Sequence, residues 1–460
     1  MPQTDSQRLI SAFKQNASQP IYRLSPELVG EIFLLARPEI VDESHNTYGE
    51  PMRYLIRITS ITRHFRQIAL DFGKLWSVVG LDLTENYDDR CRLMLDMLEA
   101  FLERGRRYDL HFWIADKLRY STLVFCPGLV TLLKPHAGRV RTLYFYTDRG
   151  VHDVWEEFRA LFNDAVNLNK LSLYAMNRPM LPFQVTNTLR KLKDLSLGGF
   201  VYDPSLQQTM EQVEILDLGR DDHGIDGLHQ WLASSIKLKR LVLPNYAHGM
   251  LPSTGSKSLV RLEDLMYLHI NFHLYHSITP WISLPNLRHL HFSSTLPETR
   301  IPLLHLEPKD HHYPHLRTLC IHLSPLRSYA AHQVVLIVMN PQLEYLEIYG
   351  MCHGPWVLYE LSNWDQGFML PDGAAPTFPG PCLKYLRVGV SDPRNLGHLS
   401  KFLSSVLSKD SQLKFTPMGR WRWSSALKRL EEQFPSQVKG HNGLALDKLY
   451  EARHGQLVTR

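Results

Sequence analysis

Charge runs, paired cysteines and long apolar stretches are all scarce in this chain of 460 residues. Its 51 basic and 46 acidic residues leave a net charge of +5, and nowhere do five like charges stand together. No basic arm for nucleic acid is therefore expected. Five cysteines, Cys91, Cys126, Cys320, Cys352 and Cys382, are scattered without a C-x-x-C. That usage argues against a disulfide framework and reads as reduced thiols of a cytoplasmic or nuclear protein. The longest wholly apolar run, Val334 to Met339, is far short of a membrane span, and Met1 to Gln19 lacks the apolar segment of a secretory signal. H-E-x-x-H, G-x-S-x-G and G-x-G-x-x-G do not occur. Gly255-Ser256-Lys257-Ser258 lacks the spaced first glycine of a phosphate loop. The expectation is a protein without enzymatic activity or cofactor, with neither nucleic acid nor membrane as partner.

What the chain does have is a phrase. L-x-x-L-x-[LIVF] recurs ten times between residues 140 and 388, as in V-R-T-L-Y-F from Val140, L-K-R-L-V-L from Leu238 and L-K-Y-L-R-V from Leu383. Its second leucines, Leu143 to Leu386, are 21 to 29 residues apart, except for an interval of 40 between Leu346 and Leu386. Apolar residues at helical spacing fall between the phrases, at Trp155–Val166, Ile225–Ile236, Ala330–Met339 and Leu396–Leu407. Asp109 to Trp113 fits an opening strand, Leu413 to Phe415 a last one, and Ser424 to Phe434 a closing helix. Extended loops are expected between Gly350 and Pro381.

The N-terminal part follows another pattern. Pro26 suits a first helical turn, where its missing N–H costs nothing, and Ser25 suits the cap before it. Leu28, Val29, Ile32, Phe33 and Leu35 form an apolar stripe. A second helix is expected over Tyr54–Thr59 and a third over Thr62–Phe72. A polar insertion, about Arg37 to Arg53, separates the first two, with Pro38, Gly49 and Pro51 as breakers. A longer amphipathic helix follows at Asp89–Leu102.

The repeated phrase and its period resemble a leucine-rich repeat. Leu24-Ser25-Pro26-Glu27-Leu28-Val29-Gly30-Glu31-Ile32-Phe33 resembles the opening of an F-box in its fungal form. Ile61 to Ala69 followed by Leu75-Trp76 resembles the ending of that motif, with Ser25 standing for a usual proline and Phe65 for a frequent tryptophan. The resemblance implies an α/β chain, a small helical F-box followed by an irregular leucine-rich-repeat solenoid with parallel strands inside and helices outside. The expected division is a mobile tail over 1–19, an F-box-like domain over 20–80, repeats over 81–415, and a C-terminal cap and tail over 416–460. It further implies a substrate receptor of a cullin-based ubiquitin ligase, reaching the cullin through a Skp-type adaptor. Leu24, Pro26, Leu28, Val29, Ile32, Phe33, Ile61 and Phe65 would form or support the adaptor interface, and the repeats would hold an unknown protein substrate.

Strand alternation puts the fourth and sixth residues of each phrase in the core and the third, fifth and seventh on the opposite face. That face is rich in tyrosine and histidine in the later repeats, residues that combine large contact area with a polar tip. Tyr267, His269, His291, Tyr345 and Tyr385 are the candidate substrate contacts. His269, His291 and Cys320 share a row, with His289 and His322 nearby, a ligand set that zinc would accept. Two alternatives stay open: an interaction scaffold that docks no ligase, and a ligand or metal sensor built on the His/Cys row.

Overall fold

The computed structural model describes residues 19–38, 50–82, 87–116, 128–147, 161, 164–175, 181–182, 189–219, 225–243, 258–294, 313–323, 340, 342–350, 382–390 and 414–418. The helices expected at 330–339, 396–407 and 424–434, the loops between 350 and 381, and both chain ends lie outside them; of 155–166 only 161 and 164–166 are described. Among the described residues no helix is long and apolar enough to cross a membrane. The chain divides into two compact units, Met1–Gln212 and Val213–Arg460.

The first unit opens with helices whose ends the local sequence dictates. Helix α1 spans Pro26–Leu35, with Ser25 Oγ accepting from the Leu28 N–H at 3.5 Å. Helix α2 spans Glu50–Ile61 and α3 Arg63–Asp71, where Thr62 Oγ1 accepts from the Phe65 N–H at 3.1 Å. Helix α2 starts four residues before the expected Tyr54. Pro51 was expected to break the chain, but it sits in the first helical turn, where no donor is required of it, and is buried with Met52. Val29, Phe33, Leu55, Ile58, Phe65 and Ile68 form the small core of this module. Phe33 and Phe65 meet edge to face at 5.3 Å, and the Tyr54 hydroxyl donates to the Phe33 carbonyl at 2.9 Å. The buried Trp76 indole N–H donates to the Ala69 carbonyl at 2.7 Å, tying the end of α3 to the first strand that follows.

That strand, β1 (Val78–Asp82), has no leucine phrase and was not anticipated. Helix α4 (Tyr87–Arg104) then leads to β2 (Leu110–Asp116), β3 (Val140–Thr147), β4 (Lys170–Ala175) and β5 (Asp194–Gly198). Each pairs in parallel with the next. The second unit continues with β6 (Ile215–Asp217), β7 (Arg240–Leu243), β8 (Tyr267–Asn271), β9 (His289–Ser294), β10 (Thr318–Leu323), β11 (Tyr345–Gly350), β12 (Tyr385–Val390) and β13 (Lys414–Met418). These too pair in parallel and in chain order. A helix at Ile225–Ser234 and another at Phe272–Ile278 lie between strands. Parallel strands in chain order with helices between them are consistent with a solenoid-like α/β fold.

Two devices repeat. Leu216, Leu241, Leu268, Leu290, Leu319, Leu346 and Leu386 stand in one row of the register, each at most 1% exposed. In addition, two consecutive N–H groups at the start of a phrase converge on one carbonyl of the preceding strand's phrase. Lys239 and Arg240 bond Glu214 O, Arg288 and His289 bond Met266 O, and Lys384 and Tyr385 bond Glu344 O, all at 2.8 to 3.1 Å. Before most phrases the chain turns through an N–H to the residue three back, and that residue is usually buried, as at Leu189, Leu262, Leu284 and Tyr313.

Two substitutions test this packing. Leu290→Ala should cost roughly 2–5 kcal/mol in chemical denaturation, the usual range for emptying a leucine site. A Cβ at Gly30 would stand 2.5 Å from the Phe72 ring. Gly30→Ala should therefore lose about 1–2 kcal/mol despite the better helix propensity of alanine, and Phe72→Leu in that background should recover part of it.

Candidate functional sites

The first unit presents an apolar helical face. Burial divides the α1 stripe in two. Val29 and Phe33 turn inward, whereas Leu28, Ile32 and Leu35 are 55%, 41% and 85% exposed. Positions 28, 32 and 35 are spaced i, i+4 and i+7, so they share one side of the helix. Leu24 before the helix, and Ile56 and Ile61 of α2, are exposed as well. Of the residues expected at an adaptor interface, Leu24, Pro26, Leu28, Ile32 and Ile61 are exposed, while Val29, Phe33 and Phe65 are buried beneath them. Ile56 lies within the expected helix but was missed, because the exposed side of that helix was not read.

The same unit carries an aromatic cluster on the non-core face of its strands. Trp113, Tyr144, Tyr146 and Tyr174 pack together around Ala115. A Cβ at Gly198 would stand 2.9 Å from the Tyr174 ring, so glycine there makes the room that this ring occupies.

In the second unit the expected rows exist. The register aligns Arg240, Tyr267, His289, Thr318, Tyr345 and Tyr385, and beside them Val242, His269, His291, Cys320, Glu347 and Arg387. The second of these rows is mostly hidden. Val242, Cys320 and Glu347 are buried although they point away from the leucine core.

Glu347, 5% exposed, is the polar centre of the face. His322 Nε2 makes a short bond to its Oε1, while Tyr345 Oη donates to Oε2 at 2.7 Å and Arg387 Nη1 lies 3.5 Å from Oε2. Burial alone would raise this carboxyl. The hydrogen bonds from His322 and Tyr345, with the charges of His322 and Arg387, outweigh burial and hold it below the ordinary range. Burial, then the adjacent carboxylate, push the Tyr345 phenol well above its usual value.

His269 and His291 stack face to face at 4.0 Å and 6°, and His322 meets His291 edge-on at 4.6 Å. His269 Nε2 lies 3.1 Å from Ser293 Oγ. Burial, followed by His322 and Arg240, lowers the His269 imidazole to about 4. The Arg240 guanidinium lies 4.6 Å over the Tyr267 ring, and burial pushes that phenol up to about 12. Parallel rings direct their in-plane nitrogens side by side rather than toward a common point. Among the described residues no group of three or more His, Cys, Asp or Glu is placed to hold a metal.

His322 was read only as a neighbour of the His/Cys row, and Glu347 as a face residue, so their pairing was not anticipated. The available signal was an acid at the fifth position of one phrase, a histidine at the seventh of the phrase before, and a tyrosine two residues upstream. Once the strands are in register, these three converge. No family model matches the chain, and no curated protein matches it in sequence.

The imidazole shift has a definite sign. Between pH 6.5 and about 4 the unfolded chain binds the His269 proton and the folded one does not. This contribution to stability is therefore complete above pH 6.5 and is lost as the pH falls toward 4, on the order of 3 kcal/mol in all. The Glu347 contribution is present above its ordinary value of 4.5 and is lost below it. Thermal melts from pH 7 to 5 should fall less steeply for His269→Gln than for the wild type.

Proposed function

We propose that this chain is the substrate-recognition subunit of a cullin-based, SCF-type ubiquitin ligase. In this reading residues 20–80 are an F-box that docks a Skp-type adaptor, and leucine-rich repeats within 81–415 hold a protein substrate. One observation carries it. The first helix is apolar on two sides, one buried through Val29 and through Phe33 against Phe65, the other presenting Leu28, Ile32 and Leu35 to solvent. Exposed leucines and isoleucines gathered on one helix side mark a surface that another protein covers. That side falls on the residues where the chain resembles the adaptor-binding motif.

The later repeats supply the complementary half of the reading. Half-buried tyrosines and histidines on a fixed sheet present large, rigid side chains that lose little entropy when a partner covers them. Such a receptor breaks no bond. Its contribution is proximity, holding a target beside a ubiquitin-charged enzyme that the rest of the assembly recruits.

The test is co-purification of the full chain with a Skp-type adaptor, alongside the double variant Leu28→Asp, Ile32→Asp. Both side chains are exposed, so the variant should melt like the wild type. Its adaptor affinity should fall about a hundredfold or more, since burial of each apolar side chain is worth roughly 1.5–3 kcal/mol. A folded wild-type chain that ignores the adaptor would reduce the helical module to a cap on the first strand and leave a non-ligase scaffold as the reading.

A further inference from the structure

The chemistry of the second unit's outer face narrows the class of substrate. On strands β6 to β12 the carboxylates and guanidiniums of this face cancel, and Lys414, in register with Tyr385, stands beyond them on β13. Asp217 and Glu347 stand against Arg240 and Arg387, two acids and two guanidiniums. Each arginine is already engaged, Arg240 over the Tyr267 ring and Arg387 beside the Glu347 carboxylate. Glu347 itself is sequestered beneath His322 and Tyr345. His269 stacks on His291 and stays neutral throughout the physiological range, so it adds a ring rather than a charge. What remains for a partner is a belt of half-buried, flat, uncharged side chains.

The length of the belt also matters. The row Arg240, Tyr267, His289, Thr318, Tyr345, Tyr385 crosses six successive strands. At the usual strand separation that is about 24 Å, the reach of roughly seven residues of extended chain and more than a small molecule fills. Parallel ring rows favour guests that stack, and proline and aromatic side chains stack without needing a counter-charge.

We propose that this face binds an uncharged, extended segment of a partner protein, rich in proline or aromatic residues, rather than an acidic or phosphorylated one. This rests on reading the face as the substrate-holding surface.

The experiment is selection of a random-peptide phage library on the purified full chain, with adaptor binding measured on the same preparation. Enriched peptides should be near-neutral and carry proline or aromatic side chains. Synthetic copies should bind with affinity that changes less than about twofold between low and high salt, because little charge is neutralised. Tyr385→Ala should weaken them about tenfold or more, as expected of a tyrosine that contacts the peptide. Enrichment of Asp- and Glu-rich sequences, steep salt dependence, or indifference to Tyr385→Ala would overturn the proposal, as would no enrichment at all. Neutral peptides bound by a chain that ignores the adaptor would uphold the face and sink the ligase reading. Adaptor binding with acidic peptides would do the reverse.

Discussion

Strand after strand hangs from a single carbonyl of the strand before it. At Glu214, Met266 and Glu344, and at the equivalent positions between them, one oxygen accepts two successive N–H groups of the next phrase. This fixes where each strand begins, and a shift of one residue would turn the whole leucine row outward. The row from Leu216 to Leu386 is the hydrophobic counterpart of that constraint, seven leucines with almost no surface left to water. Everything on the opposite face is placed by the same register, because side chains alternate. The outward chemistry of the second unit follows from how its inward side is held.

Alternation alone does not decide what a partner can touch. Cys320 and Glu347 occupy outward positions yet are buried. For Glu347 that burial would be costly without compensation, as an isolated carboxylate in a dry site loses its hydration. Three neighbours from three strands supply the compensation, His322 from β10, Tyr345 from β11 and Arg387 from β12. The same bonds fix the orientation of those neighbours. A charged group hidden in the middle of the face thus orients the side chains around it.

The sequence was legible wherever one repeated rule sufficed. Leucine spacing located the strands from β3 to β12, and alternation assigned Tyr267, His269 and His291 to one face. Ser25 and Pro26 placed the start of α1 through their capping chemistry. Failures came where context overrides composition. Strand β1 contains Gly80 and lacks the phrase, so it could be recognised only from its pairing with β2. Pro51 looked like a breaker, although a helix start tolerates proline. The division of the α1 stripe was hidden as well, because all five residues are apolar and only the packing of Phe65 shows which side faces inward. The convergence on Glu347 joins residues from three phrases and exists only once the strands are aligned.

Two surfaces of different character result, an apolar helical side in the first unit and a ring-lined sheet face in the second, each suited to a separate partner. Hydrogen–deuterium exchange of the full chain with and without a Skp-type adaptor tests this assignment most directly. The account predicts slowed exchange confined to the segments around residues 24–35 and 56–61, with residues 267–291 and 345–387 unchanged. Slowing across the sheet-face strands with no change at 24–35 would contradict it.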